Sequence, residues 1–158
     1  MDETTLAYLA GVLDSDGTIG VKRNTYSVRV VGDSAQPTYS ERIHIRQVER
    51  AALEVFAATF GGNIGITDPT AKRGRPLWNW GQTDRKAATT LVALLPYLRI
   101  KRAQAENCLI LRDLKERSKL ARVAKGRGYA GSASRSPGFS AAMEACFVHA
   151  KKLNRVGL

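Results

Sequence analysis

LAGVLDSDG, from Leu9 to Gly17, closes an apolar stretch with two carboxylates, Asp14 and Asp16, and a glycine. Carboxylates are disfavoured at the C-terminal end of a helix, where the dipole is negative, so a sequence that puts them there gives up stability for a function. Reading back from this end, Leu6, Leu9 and Leu13 recur at helical spacing over Thr4 to Leu13. Ala7, Gly11 and Ser15, four apart, leave a second face with almost no side-chain bulk, along which another helix backbone can approach closely. The carboxylates then hang from the end of a helix pressed against something else, and Gly17 turns the chain into the next segment.

The acidic pair has three readings. It can end a core helix and face water. It can belong to a calcium loop, since DSDGTIG looks like the middle of an EF-hand; but with Gly17 at the sixth position, the first and twelfth ligands would be Val12 and Arg23, where acids are required. The third reading is that Asp16 holds a divalent metal for chemistry.

Composition selects among partners. The chain has 158 residues, enough for one compact domain, with 25 Lys and Arg against 14 Asp and Glu, a net charge of +11. That excess favours a polyanion such as nucleic acid over a small acidic molecule. The segment from Arg99 to Ser136 carries +8 of it, Lys119 included as a candidate DNA contact; a merely solvated basic face is the plain alternative. Cys108 and Cys146 are isolated and His44 and His149 have no neighbour at ligand spacing, so zinc, a disulfide framework and His-based catalysis have no support. The acidic start MDETT and a broken apolar stretch after it predict neither a signal peptide nor a membrane span. A soluble protein of the cell interior is expected, in the cytoplasm, the nucleoid or an organelle.

Along the chain, Thr18 to Val31 predicts a strand bearing Lys22, Arg23, Tyr26 and Arg29. In a second strand, Tyr39 to Gln47, Ile43 and Ile45 alternate with Arg42, His44 and Arg46, so three candidate cations share one side. A helix over Glu49 to Phe60 stops at Gly61 and Gly62. Strands Asn63 to Asp68 and Pro76 to Thr83 follow, joined by a loop with Lys72, Arg73 and Arg75. Asp84 caps a third helix that Pro96 ends, and a fourth covers Ala103 to Glu116. A basic, flexible segment over 118–139 precedes the last helix, Ser140 to Leu153. Trp78 and Trp80 share a side of their strand, either core or reading face, core being the expectation. The predicted class is α+β, an αββαββα order with a four-stranded antiparallel sheet forming a saddle, helices on one face, and extra C-terminal helices; residues 1–117 form the core of a single domain over 1–158.

LAGVLDSDG resembles the signature of the LAGLIDADG homing endonucleases. The strand-pair, helix, strand-pair order agrees with it, as do LLPYLRIKRAQAEN, from Leu94 to Asn107, and IRQ, from Ile45 to Gln47, which are similar to the family's basic and polar active-site segments. The resemblance covers roughly Thr4 to Glu116. It implies that Asp16 is the metal-binding aspartate, with the Ser15 carbonyl as a further ligand, that Gln47 positions solvent, and that Lys101 stabilises charge at the phosphate; Arg50 assists in some arrangements, although the spacing after Gln47 departs from the pattern. The metal implied is Mg2+ or another divalent cation such as Mn2+. One motif per chain implies a homodimer joined through Ala7, Ala10, Gly11 and Asp14, with Asp14 structural rather than catalytic, so that both Asp16 residues meet on the two-fold axis. Each sheet would read one half of a long pseudo-palindromic double-stranded DNA site, which is cut with a stagger. The alternatives of the same fold are an intron-RNA-binding maturase and a non-cleaving DNA-binding protein.

Overall fold

A computed structural model describes residues 2–24, 37–67, 76–124 and 136–156. The expected Tyr26, Arg29, Lys72, Arg73 and Arg75 contacts lie outside the described residues, as does the end of the first predicted strand. The described order is α1 (Glu3–Asp16), β1 (Gly17–Asn24), β2 (Thr38–Gln47), α2 (Ala51–Phe60), β3 (Ile64–Thr67), β4 (Leu77–Thr83), α3 (Asp84–Leu94), α4 (Arg102–Ala124) and α5 (Pro137–Val156). The expected α+β class and the four-stranded antiparallel sheet are found, with strand order β1-β2-β4-β3.

The alternation read in β2 decides which face of the sheet is inside. Tyr39, Glu41, Ile43 and Ile45 are buried, while Arg42 and Arg46 are exposed and His44 is half-buried on the other side. Leu9, Leu13, Ile19, Ile43, Ile45, Phe56, Trp80, Leu91 and Leu94 form one continuous core between the sheet and its helices. Trp80 and Trp78 therefore belong to the core side. Trp80 is fully buried, its ring 4.8 Å from that of Phe56, and its Nε1–H donates to the Gly61 carbonyl at 3.0 Å. Burial of an aromatic side chain of this kind contributes roughly 2–3 kcal/mol. Gly61 and Gly62 end α2 with φ of 74° and 99°, values only glycine adopts without strain.

Several expectations change. Asp2 caps α1 by accepting from Thr4 and Thr5, and α1 runs through Asp16, so both carboxylates sit within its last turn rather than beyond it. Gly17 makes no left-handed turn: its backbone is extended, and glycine is needed because a Cβ would stand 2.7 Å from the Leu13 carbonyl oxygen. Asp84 does not cap α3. It is the first helical residue, in the left-handed region at φ 59°, and its carboxylate pairs with Arg112 and Lys115. The fourth and fifth helices are longer than their patterns suggested, because each gains apolar partners from the other, Leu111 packing with Met143 and Cys146. Residues 118–124, expected in a flexible segment, are the last turns of α4.

Candidate active site

Three segments converge where α1 ends. Gly17 opens β1 and pairs with Ile45 in the antiparallel register, which sets Asp16 beside the end of β2. There Gln47 Nε2 donates to Asp16 Oδ2 at 2.7 Å. The third segment is the turn before α4. Buried Asp14 accepts the backbone N–H groups of Arg99 (2.7 Å), Ile100 (3.2 Å) and Lys101 (2.9 Å), which fastens that turn to the helix.

Lys101 completes the arrangement in the reverse sense. Its Nζ donates to the carbonyl oxygens of Leu13 (3.0 Å), Asp14 (2.6 Å) and Ser15 (3.4 Å) in the last turn of the helix; the Leu13 carbonyl also accepts from the Gly17 backbone N–H. α1 carries no basic residue in its last turn, so the cation its dipole calls for arrives from another element. The electrostatic anomaly seen in the sequence is thereby offset. Partial burial lowers the pKa of Lys101 from the ordinary lysine value, against the opposing charges of Asp14 and Asp16.

Asp16 and Ser15 are exposed, and the Ser15 hydroxyl turns back to the Val12 carbonyl at 3.1 Å. Asp16 and the Ser15 carbonyl are hard oxygen donors of the kind a magnesium-class cation takes. Of the three carbonyls near Lys101, that of Ser15 is held at the longest distance. Among the described residues no group of three or more His, Cys, Asp and Glu could hold a metal ion.

The exposed stripe of α1 carries Thr4, Ala7, Tyr8, Gly11 and Ser15, and a Cβ at Gly11 would meet nothing within 4 Å. Ala10, expected in a contact between copies, is instead fully buried in the chain's own core. Asp14, expected in the same contact, is buried and committed to the turn at 99–101. Helical geometry explains both: each lies on the inward side that Leu9 and Leu13 define.

The open face of the sheet carries Thr18 and Lys22 on β1, Arg42, His44 and Arg46 on β2, and Asn79 and Thr83 on β4. His44 is a weaker cation than expected. Burial lowers its pKa from the ordinary histidine value, with Arg46 and Arg42 adding repulsion. Arg23 is not part of this face: it stands in register with Tyr39, on the inward side, and its guanidinium pairs with Glu144 at 3.4 Å. Lys119 is exposed on α4, in the helix layer behind the sheet. Arg50 is engaged elsewhere, with Glu54 at 2.9 Å and over the Trp78 ring at 4.9 Å.

Buried Glu41 was not foreseen as a charged centre. Arg112 and Lys115 hold its Oε2 at 2.7 and 3.0 Å, and both also reach Asp84. An acid on the inward phase of β2's alternation was the available signal.

No protein-family model matches the chain, and no curated protein is significantly similar to it. Solved structures are similar in fold. The homing endonuclease I-CvuI in complex with its DNA target is 21% identical, with 96% of this chain and 95% of that one covered and a TM-score of 0.55. The archaeal intron-encoded homing endonuclease I-Vdi141I, complexed with DNA, is 14% identical over 98% and 99% of the two chains, at a TM-score of 0.56. A double mutant of I-SmaMI is 15% identical at a TM-score of 0.62, with 93% of this chain covered but 45% of that one. With LAGVLDSDG at the end of its first helix and this sheet behind it, the chain has the fold of the LAGLIDADG homing endonucleases.

Proposed function

We propose that this chain is a homing endonuclease that binds a long, roughly palindromic DNA site as a homodimer and makes a metal-dependent staggered cut. The observation that carries the reading is the meeting of Gln47 and Lys101 at the end of α1, on either side of exposed Asp16. Strand, helix and turn deliver a carboxylate, an amide and an ammonium to one place, and phosphodiester hydrolysis uses such a set.

Asp16 and the Ser15 carbonyl would hold a divalent cation, which when bound acts as a Lewis acid toward phosphate oxygens. Gln47 orients water through its amide while keeping Asp16 in place. Lys101 brings positive charge to the phosphate, and Asp14 keeps the Lys101 backbone fixed. The low bulk of the exposed Ala7, Gly11 and Ser15 stripe, with open space around Gly11, supports a site shared between two copies. The open faces of both subunits then read base edges with Arg42, Arg46 and His44, Lys22 adding a phosphate contact.

Site selection from a random DNA library in the presence of magnesium, followed by cleavage with Asp16→Asn protein, tests this. Cutting is expected to fall by about 10³-fold or more, with DNA binding retained. Cutting by the variant at the wild-type rate would sink the assignment, and binding to intron RNA without any DNA cleavage would replace it by a maturase.

A further inference from the structure

Apart from the α1 end, the described surface holds one more feature with a strong chemical bias. A groove of about 500 Å³ lies along the free edge of β1, between that strand and the last turns of α5. Lys22 and Arg42 stand on the sheet side; Phe147, Lys151, Asn154 and Arg155 stand on the helix side. The approach of helix to strand is built in. Asn154 Nδ2 donates to the Ile19 carbonyl at 3.1 Å, and it stands 3.2 Å from where a Cβ on Gly20 would be, a position the sequence leaves without a side chain.

No Asp or Glu lines this groove. Arg23, which also lines the groove, pairs with Glu144 at 3.4 Å, an acid that is not itself part of the lining. Among the described residues, Lys22, Arg42, Lys151 and Arg155 have no carboxylate partner, and Lys151 Nζ lies over the Phe147 ring at 4.6 Å. A solvated basic surface would be convex and interspersed with acids. A concave, acid-free set repels itself until a polyanion enters. Arg42 belongs to both the groove and the open sheet face, so a strand lying on the sheet continues into the groove without a break in positive charge.

We infer that the groove is a phosphate clamp, in which Lys151 and Arg155 hold the backbone of the DNA duplex where it passes the β1 edge, beyond the base pairs that the sheet reads. α5 is thereby part of the nucleic-acid interface, and the footprint of each subunit is longer than its sheet. The inference rests on the reading of the sheet face as a DNA-binding surface.

The test compares wild type with the double variant Lys151→Gln/Arg155→Gln, measuring affinity for the selected duplex across a salt series. Each duplex is used in a long form and in a form shortened at both ends. On the long duplex the variant is expected to bind about 10- to 100-fold more weakly at moderate salt, with a log–log salt slope shallower by about 1–2 per subunit. On the shortened duplex the two proteins converge. Arg117→Gln, which removes a cation from the helix layer, should leave the slope unchanged. A wild-type slope for the double variant, or an equal loss with Arg117→Gln, overturns the clamp while wild-type binding keeps the sheet reading intact. No salt-dependent binding by wild type to either duplex overturns both. Since Lys151 and Arg155 are exposed, folding is expected to be unaffected; if melting shows otherwise, Arg155→Gln alone decides, with half the slope change expected and an unchanged slope refuting the clamp.

Discussion

Two buried carboxylates, Asp14 and Glu41, are satisfied in opposite ways. Asp14 takes only backbone N–H groups, and the lysine beside it, Lys101, gives its ammonium to backbone carbonyls. Helix end and turn are locked to each other through their main chains, and the groups that face outward, Asp16 and Gln47, inherit that fixed frame. Glu41 takes only side chains, Arg112 and Lys115, which also bind Asp84, while its Oε1 and Arg112 Nε stay without partners. That cluster ties β2, α3 and α4 together and positions nothing toward solvent. A carboxylate spent on backbone donors makes a rigid mount; one spent on flexible cations makes a tether with unsatisfied atoms.

The contrast breaks most visibly at the tether. Glu41→Ala leaves Arg112 and Lys115 partly buried with one acid fewer, and a loss of about 3–4 kcal/mol is expected in urea unfolding. Replacing Glu41, Arg112 and Lys115 together by Met, Leu and Met should recover most of it, and cleavage per folded molecule should match wild type in every variant. A large loss of cleavage by folded Glu41→Ala protein would erase the distinction. Asp14→Asn sharpens the other side. An amide cannot accept from all three N–H groups, so stability should fall by about 2 kcal/mol. Cleavage by the folded protein should drop a further ten- to hundredfold as Lys101 loses its mount, and wild-type cleavage would reduce Asp14 to a second tether.

The smallest effect concerns pH. Because the folded chain holds the His44 pKa below 6.5, the unfolded state takes up this proton first as pH falls, so His44's contribution to stability is present above about pH 6.5 and is lost below it. Phosphates over the open face favour the imidazolium, so DNA binding takes up a proton and should tighten as pH falls from 7 to 5.5, by at most about tenfold per unit. His44→Gln should flatten this dependence; an unchanged pH profile would remove His44 from the face.

Part of the candidate site was legible in the sequence because it lies at an element end. Asp16 closes a helix, and that end is marked by the period change and by the glycine at 17, whereas Gln47 at a strand end and Lys101 before a helix were singled out only by the family resemblance. The direction of Arg23 was not legible: long cationic side chains look alike on either phase of a strand, and only its register with Tyr39 turns it toward α5. Ala10 was misplaced for a related reason, since a small residue is compatible with a tight contact inside the chain or outside it. Glu41 stood in plain view on the inward phase, yet its cations lie some seventy residues away on α4.

What the sequence determined by itself is therefore local and periodic: the α+β order, the faces of β2, the carboxylate at the helix end and the positive charge that calls for a polyanion. Hydrophobic spacing and dipole electrostatics act over a few residues and can be read along the chain. Tertiary structure alone decided which cation neutralises that helix end, which alanine is left on the surface, and that α5 closes a groove against β1. These depend on contacts between residues far apart in the chain, fixed by how the whole core packs, and no local pattern encodes them.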